Sequence, residues 1–234
     1  MCKLILIDQV IKNLLNFFFP EVCYACNESL SDNEKHICTQ CRHNLPITNY
    51  HFTNDNSVEK VFYGRVKIEN ATSLFHFHKK GIVQQLIHNL KYKVYQDIAH
   101  DLGACLGNEL KDLPEYNSVN YVIPVPLHKR KLKKRGFNQV TKFGEQLANA
   151  LNANYNEAIL IKTSNTSTQV FKNRISRWNS AYEIFDIVET NTLKGKHILL
   201  VDDIITTGAT IESCVNVLNK VKDVKISVAT MAIA

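Results

Sequence analysis

The sequence lacks a hydrophobic run long enough to cross a membrane, since a spanning helix needs about 20 consecutive apolar residues. The stretch Leu4–Phe19 resembles a signal peptide, but Asp8 and Lys12 interrupt it and no small-residue cleavage site follows. Its apolar residues instead share one helical face: Leu4, Ile7, Ile11, Leu14, Leu15 and Phe18. We therefore expect a cytoplasmic protein with an N-terminal amphipathic helix that docks on the fold, attachment to a membrane surface being the alternative.

We also expect no export signal, and this affects how the seven cysteines are interpreted. Four of them form two pairs, Cys23-x-x-Cys26 and Cys38-x-x-Cys41, with eleven residues between the pairs. Two such pairs are typical of a tetrahedral Zn²⁺ site with four thiolate ligands at about 2.3 Å. Two disulfides are the alternative, but they require an oxidising compartment. We predict a structural zinc, because four sulfurs leave no open coordination position for a substrate.

The chain has no strong excess of charge, because its formal net charge is only +6 over 234 residues. The positive charge is nevertheless concentrated in Lys129–Arg135, where six of seven residues are Lys or Arg. This basic segment follows the apolar stretch Val122–Pro126, which we predict to be a strand that two prolines terminate. A solvated basic face is one interpretation. A site for pyrophosphate or for nucleic-acid phosphates is the other, because open α/β sheets bind ligands at the carboxyl ends of their strands.

The most informative stretch is His197–Thr210, which reads HILLVDDIITTGAT. Its apolar start, Ile198–Val201, predicts a strand buried on both faces of a parallel sheet, with Asp202 and Asp203 placed where the strand should end. A small, hydroxyl-rich loop follows and leads into residues at helical spacing. That loop comprises Thr206, Thr207, Gly208, Ala209 and Thr210. Free backbone N–H groups at a helix N-terminus favour a phosphate, and a glycine permits its close approach.

A phosphate site alone does not require two carboxylates beside it. Asp202 and Asp203 suit a ligand whose hydroxyl groups neighbour its phosphate, so they point to a ribose 5-phosphate. A strand that ends in a polar, threonine-capped turn is the simpler alternative. The complete order of apolar strand, two acids, apolar pair and Thr-Thr-Gly loop is more specific than such a turn, and we favour the ribose-phosphate site.

Strands that alternate with helices predict a doubly wound parallel α/β sheet. Besides Val122–Pro126, we expect strands over Ala71–Phe77, Ala158–Lys162, Lys194–Val201 and Val224–Ile233. A helical segment is expected over Ile82–Leu110, with a break near Tyr92–Gln96. Another helix is expected to follow Gly136–Gln139 and to end at about Leu151. We interpret His88, Lys91, Tyr92 and Lys93 as a solvated helix face, a ligand-facing role being the alternative. The expected domains are residues 1–49 (N-terminal helix and zinc module), 50–115 (connecting or hood segment) and 116–234 (sheet domain).

The Asp-Asp…Thr-Thr-Gly stretch resembles the motif with which type I phosphoribosyltransferases hold 5-phosphoribosyl-1-pyrophosphate (PRPP). More narrowly, the chain is similar to the ComF family, which is related to amidophosphoribosyltransferases but lacks their glutaminase half. The resemblance rests on the order of these segments: FFFPEVCYACNESL, CRHNLP, IHNLKY, PVPLHKRKLKKRGFNQ, the Gln169–Arg177 loop and LLVDDIITTGAT. It implies that the two acids hold the ribose hydroxyls and that the loop holds the 5-phosphate.

The resemblance implies two alternative functions. In the first, the chain is a phosphoribosyltransferase, with Mg²⁺ bound through PRPP, pyrophosphate stabilised by Lys129, Arg130 or Arg135, and the reacting centre covered by a loop near Arg174 and Arg177. In the second, the site senses a nucleotide or phosphate, while the basic segment and the zinc module bind single-stranded DNA or a protein of the competence machinery. No set of residues indicates which acceptor a transferase would use.

Overall fold

The computed structural model describes residues 20–163, 184–188 and 190–234. The predicted helix over Leu4–Phe19 and the loop that carries Arg174 and Arg177 lie outside the described residues. Among the helices that the structure describes, none is both long and apolar enough to span a membrane.

The described residues form helices and strands in alternation along most of the chain. The helices are α1 (Thr39–His43), α2 (Ser57–Lys60), α3 (Ile82–Tyr92), α4 (Gln96–Leu110), α5 (Lys129–Arg135), α6 (Thr141–Ala150) and α7 (Ala209–Leu218). The strands are β1 (Ala71–His76), β2 (Val119–Pro124), β3 (Asn154–Tyr155), β4 (Leu160–Thr163), β5 (Ile184–Ile187), β6 (His197–Ile205) and β7 (Lys225–Ile233). The predicted break between α3 and α4 is confirmed, and Val94 has a left-handed φ of 63° there.

Five strands form one parallel sheet in the order β1-β7-β6-β2-β3. The central strand β6 buries side chains on both faces. Leu199 and Val201 lie in the core that α3, α4 and α6 cover, whereas Ile198 and Leu200 lie in the core that α7 covers. Helices thus pack on both faces of a parallel sheet, and the predicted doubly wound α/β fold is confirmed.

One predicted strand does not join this sheet. Leu160–Thr163 pairs in antiparallel fashion with Ile184–Ile187, and the two form a separate ribbon. The outer strand of the main sheet is the short Asn154–Tyr155 instead. The local pattern explains the difference, because Leu160 is buried while Ile161 is exposed. Such alternation is typical of a strand with one solvated face rather than of a buried parallel strand.

The strand β6 also extends further than expected. It continues through both acids to Ile205, because β7 is long enough to pair with it residue by residue, Asp202 lying opposite Thr230 and Ile205 opposite Ile233. Asp202 and Asp203 therefore lie within the last four residues of the strand and not beyond its end. Their backbone is consequently held by the sheet.

The strand β1 lies at the edge of the sheet and pairs with β7. Residues of the expected connecting segment, 50–115, thus contribute a strand to the same sheet as residues 116–234. The three domain ranges remain predictions, and the sheet shows that the second and third share one structural framework.

Candidate functional site

The loop between β6 and α7, predicted to bind a phosphate, leads into a helix N-terminus and lines a small cavity. Gly208 precedes the helix with φ 73° and ψ −1°, and its carbonyl accepts the first helical hydrogen bond, from Glu212, at 2.8 Å. A small cavity of about 40 Å³ is lined by this loop, and Asp202 lies in its wall. The residues that line the cavity are Asp202, Ile204, Ile205, Thr206, Thr207, Gly208, Ala209, Thr210 and Ile211. Asp202 and the predicted phosphate loop are therefore brought together.

Gly208 is required by packing as well as by its backbone conformation. A Cβ atom at this position would lie 2.6 Å from Val61 Cγ1 and 3.0 Å from Phe62 Cε1. The contact with Val61 would be too short for any side chain and that with Phe62 would be tight, so the residues after α2 leave no room for a side chain at position 208. The loop is held between its own helix and these residues.

Arg65 braces the same loop and was missed by sequence reasoning. Its guanidinium donates to the Thr207 carbonyl at 2.6 Å and forms an ion pair with Glu212 on α7. The two partners follow Arg65 by more than 140 residues, so no local motif announces the contact. Arg65 thereby holds the Thr207 carbonyl in place, and Arg65 itself does not line the cavity.

The two acids have different surroundings. Asp202 accepts the backbone N–H of Asp203 through Oδ1 at 2.8 Å and lines the loop cavity. The side chain of Asp203 is only 7% exposed. Its Oδ2 lies 2.6 Å from Lys91 Nζ and accepts a hydrogen bond from Gln139 Nε2 at 2.8 Å. Asp203 is thus enclosed by a lysine of α3 and by Gln139, which lies two residues before α6.

Lys91 corrects one interpretation of the sequence. The polar stretch from His88 to Lys93 was expected to be a solvated helix face, and His88, Tyr92 and Lys93 are indeed exposed. Lys91, however, is 20% exposed and is paired with Asp203. Helical periodicity could not reveal this, because the partner lies on a strand more than a hundred residues away.

The segment RGFNQ, which contributed to the family resemblance, has a clear structural role. Gly136 ends α5 in a left-handed conformation with φ 80°, and Asn138 Nδ2 donates to the Val125 carbonyl at 3.1 Å. Gln139 Oε1 accepts a hydrogen bond from Arg135 at 2.7 Å, while its amide nitrogen binds Asp203. Gln139 therefore links Arg135 to the acid pair.

The other predicted cations lie on the surface. Lys129 and Arg130 are exposed at the start of α5, whereas Arg135 is half-buried at its end, 5.8 Å from the centre of the Tyr92 ring. All of α5 apart from Arg135 is exposed, including Leu132. Among the predicted pyrophosphate residues, Arg135 is linked to Asp203 through Gln139, whereas Lys129 and Arg130 are exposed.

The four cysteines of the two predicted pairs form one cluster. The sulfur atoms of Cys23, Cys26, Cys38 and Cys41 all lie within 4.8 Å of one another. Those of Cys26 and Cys38 are 3.8 Å apart. Four thiolates at about 2.3 Å from a central zinc would be separated by about 3.8 Å, so the cluster has the dimensions of a tetrahedral metal site. None of the six cysteines in the described residues forms a disulfide.

Backbone hydrogen bonds to sulfur favour the thiolate of one member of this cluster, Cys23. Burial opposes the ionisation of Cys23, yet backbone N–H groups, foremost that of Cys38, lower the pKa of its thiol to about 7. Burial raises the pKa of the Cys41 thiol. A bound metal ion would override this difference, because coordination deprotonates a thiol outright. The cluster can therefore hold a metal ion.

The cysteine cluster docks on α3 and α4. Asn89 is fully buried and donates to the Tyr24 carbonyl at 2.7 Å, and the Tyr24 ring stacks on Tyr95 with centroids 4.1 Å apart. His36 Nδ1 lies 2.7 Å from Asp101 Oδ2 on α4. The cysteine cluster is thus attached to the helix that also carries Lys91.

Comparison with known proteins agrees with this arrangement. Residues 141–232 match the family model of the phosphoribosyl transferase domain. The DNA utilization protein YhgH of Shigella flexneri is 26% identical over 193 residues, which cover 81% of this chain and 80% of that protein. The competence protein ComFC of Bacillus subtilis is 25% identical and covers 82% of this chain and 75% of its own length. ComFC of Streptococcus pneumoniae is 35% identical over about half of each chain, 51% and 50%.

The matched domain, the parallel sheet and the loop after β6 define a phosphoribosyltransferase-like protein. More narrowly, its similarity to YhgH and ComFC supports a ComF-family protein, as the order of its segments predicted.

Proposed function

We propose that this protein binds PRPP or another ribose 5-phosphate compound at the carboxyl end of β6. The observation that carries the proposal is the position of Asp202 in the wall of the loop cavity. A generic anion site would gain nothing from a carboxylate there, whereas ribose hydroxyls are natural hydrogen-bond donors to it. The backbone N–H groups of Thr206–Thr210 and the dipole of α7 would hold the 5-phosphate.

The residues around the acid pair support phosphoribosyl transfer as the chemistry. A nucleophile would form a bond to C1 of the ribose and lose its proton, while the bond from C1 to the pyrophosphate oxygen breaks and pyrophosphate leaves with the electron pair. Arg135, Lys129 and Arg130 would stabilise the leaving charge. When bound through the diphosphate, Mg²⁺ supplies further positive charge. The loop with Arg174 and Arg177 is proposed to cover the reacting centre and exclude water.

We also propose a link to DNA uptake, because relatives of this chain are named competence protein and DNA utilization protein. Proteins of the competence machinery are accordingly its proposed partners. The site would act in DNA uptake in one of two ways. Either the product of the transfer is used in uptake, or the bound ligand controls the binding of a competence protein.

A structural zinc in the cysteine cluster is proposed as well. Four thiolates with N–H donors to sulfur are a typical zinc set, and a closed tetrahedron leaves no position for a substrate. The zinc would stabilise the module that packs on α3 and α4.

The ligand proposal predicts opposite responses of two ligands to one double variant. PRPP at a hundredfold excess over its Kd should raise the free energy of unfolding of the wild-type protein by about 2.7 kcal/mol. Asp202→Asn together with Asp203→Asn should abolish most of this gain. Sulfate binding at the loop should persist or strengthen, because two negative charges have gone. Thermal unfolding with each ligand measures both effects. Equal loss of both ligands would show that the acids merely hold the loop in shape.

The helix α5 supports single-stranded DNA binding as a second function. Six of its seven residues are basic, and those from Lys129 to Lys134 are exposed. If α5 binds DNA phosphates, affinity for an oligonucleotide should fall steeply with salt, and Lys133→Glu with Lys134→Glu should flatten that dependence. Fluorescence anisotropy over a salt series measures it. Negligible binding at low salt would eliminate this function.

A further inference from the structure

A second cavity lies where β1 and β2 begin, whereas the phosphate loop follows the end of β6. It has a volume of about 490 Å³. Its wall includes Glu69, just before β1, and the segment Leu113–Tyr116, just before β2. Of the described residues, none lines both this cavity and that of the phosphate loop. Volumes of about 300–1,000 Å³ are typical of sites for small molecules. The cavity is therefore large enough for a ligand of its own.

The charge of this cavity is negative. Three carboxylates line it, those of Glu59, Glu69 and Glu115, and the described residues of its wall include no Lys or Arg. Glu59 accepts the backbone N–H of Ala71 at 3.3 Å, but no ion pair within the described residues engages any of the three. The whole chain, by contrast, has a formal net charge of +6. Because a concave site lined by charge of one sign concentrates counter-ions, the cavity favours a cation.

Tyr116 adds a buried polar group to the same wall. Its residue is only 2% exposed. The hydroxyl makes no hydrogen bond to the described residues, yet it is not sealed off in the core, so it is open to the cavity that Tyr116 lines. Burial, and then the carboxylates of Glu59 and Glu115, raise the pKa of Tyr116, so the hydroxyl stays protonated and neutral. Since buried phenol oxygens normally have a partner, this oxygen is suited to accept a hydrogen bond from a ligand.

The arrangement of the carboxylates does not suit a metal ion. Among the described residues, the one group of potential metal ligands that converges on a single point is the cysteine cluster. The three glutamates are spread along the cavity wall instead, so they do not surround one ion. Tyr50 and Phe52 also line the cavity, and aromatic rings attract ammonium groups. Separate carboxylates and aromatic rings are suited to an organic cation with more than one positive group.

The cavity continues into a second one, which indicates an elongated ligand. Glu59 and Glu69 also line a neighbouring cavity of about 240 Å³. The exposed Lys67 belongs to the wall of this neighbouring cavity and not to that of the larger one. Two of the three carboxylates thus lie where the two cavities meet, so negative charge extends along the groove.

We infer that this groove binds a flexible organic cation with several ammonium groups, that is, a polyamine. The carboxylates of Glu59, Glu69 and Glu115 form ion pairs with its ammonium groups, and the Tyr116 hydroxyl accepts a further hydrogen bond. The site shares no residue with the proposed ribose-phosphate site, and the inference does not rest on that proposal.

The experiment titrates the full chain with spermidine, a triamine, at low salt in an isothermal calorimeter. Wild-type protein should bind it saturably, and the Kd should rise with added NaCl. Glu69→Gln combined with Glu115→Gln should raise the Kd on the order of tenfold, the effect of losing two exposed ion pairs. Tyr116→Phe should raise it about threefold, the effect of one lost hydrogen bond. Because Glu69 and Glu115 are exposed, their substitution should leave thermal unfolding without ligand unchanged.

A matched double variant controls for the overall charge. Glu28→Gln combined with Asp32→Asn removes the same charge from exposed positions outside the groove and should leave the Kd for spermidine unchanged. Butylamine, which has a single ammonium group, should bind more weakly than spermidine. Mg²⁺ at the same concentration as spermidine should not displace it.

The inference is overturned if wild-type protein does not bind spermidine saturably at low salt. Equal losses in the two double variants would show attraction by the protein surface in general, and would also overturn it. Butylamine that binds as tightly as spermidine, or Mg²⁺ that displaces it, would contradict a site for several ammonium groups. None of these results affects the ribose-phosphate proposal, which PRPP binding tests separately.

Discussion

Replacing Cys38 with Ser should release the metal and unfold the cysteine module. Cys38 is buried, its sulfur lies 3.8 Å from that of Cys26, and it caps α1 by accepting the N–H of Cys41. Structural zinc sites of this kind couple on the order of 10 kcal/mol of metal binding to local folding. Wild-type protein should contain about one zinc per chain, the stoichiometry of a single tetrathiolate site. The variant should contain little, and it should melt at a lower temperature.

Cys105→Ser is the matched control for this prediction. Cys105 is exposed on α4 and lies outside the cluster, so the same chemical change there should leave both zinc content and melting intact. Metal content is measured by atomic absorption and stability by calorimetry, with a chelator as an independent way to remove the ion. Wild-type protein that is free of metal and melts as before would refute the zinc site.

Gly208→Ala should destabilise the protein and abolish binding at the phosphate loop. The substitution combines two costs, because φ is 73° and the new Cβ would lie 2.6 Å from Val61 Cγ1. The left-handed conformation alone costs about 1–2 kcal/mol in a residue with a side chain. The steric conflict adds to it, so that a total of about 2–4 kcal/mol is expected, as for other overpacked sites.

Gly195→Ala isolates the conformational part of this cost. Gly195 has a φ of 68°, and nothing lies within 4 Å of the Cβ that it would acquire. Its substitution should lower the free energy of unfolding by about 1–2 kcal/mol and leave ligand binding unchanged. Chemical denaturation of the two variants gives the comparison. Equal losses would mean that the packing of Val61 and Phe62 against the loop is unimportant.

Features with a local signal could be predicted from the sequence. The loop after β6, the two cysteine pairs and the apolar faces of α3, α6 and α7 are each encoded within about twenty residues of chain. The spacing of the cysteines predicted the cluster of four sulfur atoms that the structure shows. The apolar run Ile198–Val201 similarly predicts a strand that is buried on both faces.

Features that depend on distant residues could not be predicted. Lys91 meets Asp203 only because the fold brings α3 next to the end of β6, and the residues that follow it, Tyr92 and Lys93, are exposed. Arg65 reaches Thr207 in the same way. The segment RGFNQ could be recognised as part of a family pattern, yet the link from Gln139 to Asp203 is visible only in three dimensions.

Strand order was also beyond local reasoning. Ala71–Phe77 was expected to be a strand, but nothing in its residues shows that it pairs with β7 rather than with a strand of a separate sheet. Leu160 has the buried, apolar character of a core strand, and it pairs outside the main sheet with β5. In both cases the choice of partner is made by tertiary packing.

A crystal structure of the protein with PRPP and Mg²⁺ tests the central claim most directly. The account predicts the 5-phosphate within hydrogen-bonding distance of the backbone N–H groups of Thr206–Thr210, with ribose hydroxyls on Asp202. An empty loop at saturating PRPP, or PRPP bound at another place on the protein, would contradict it.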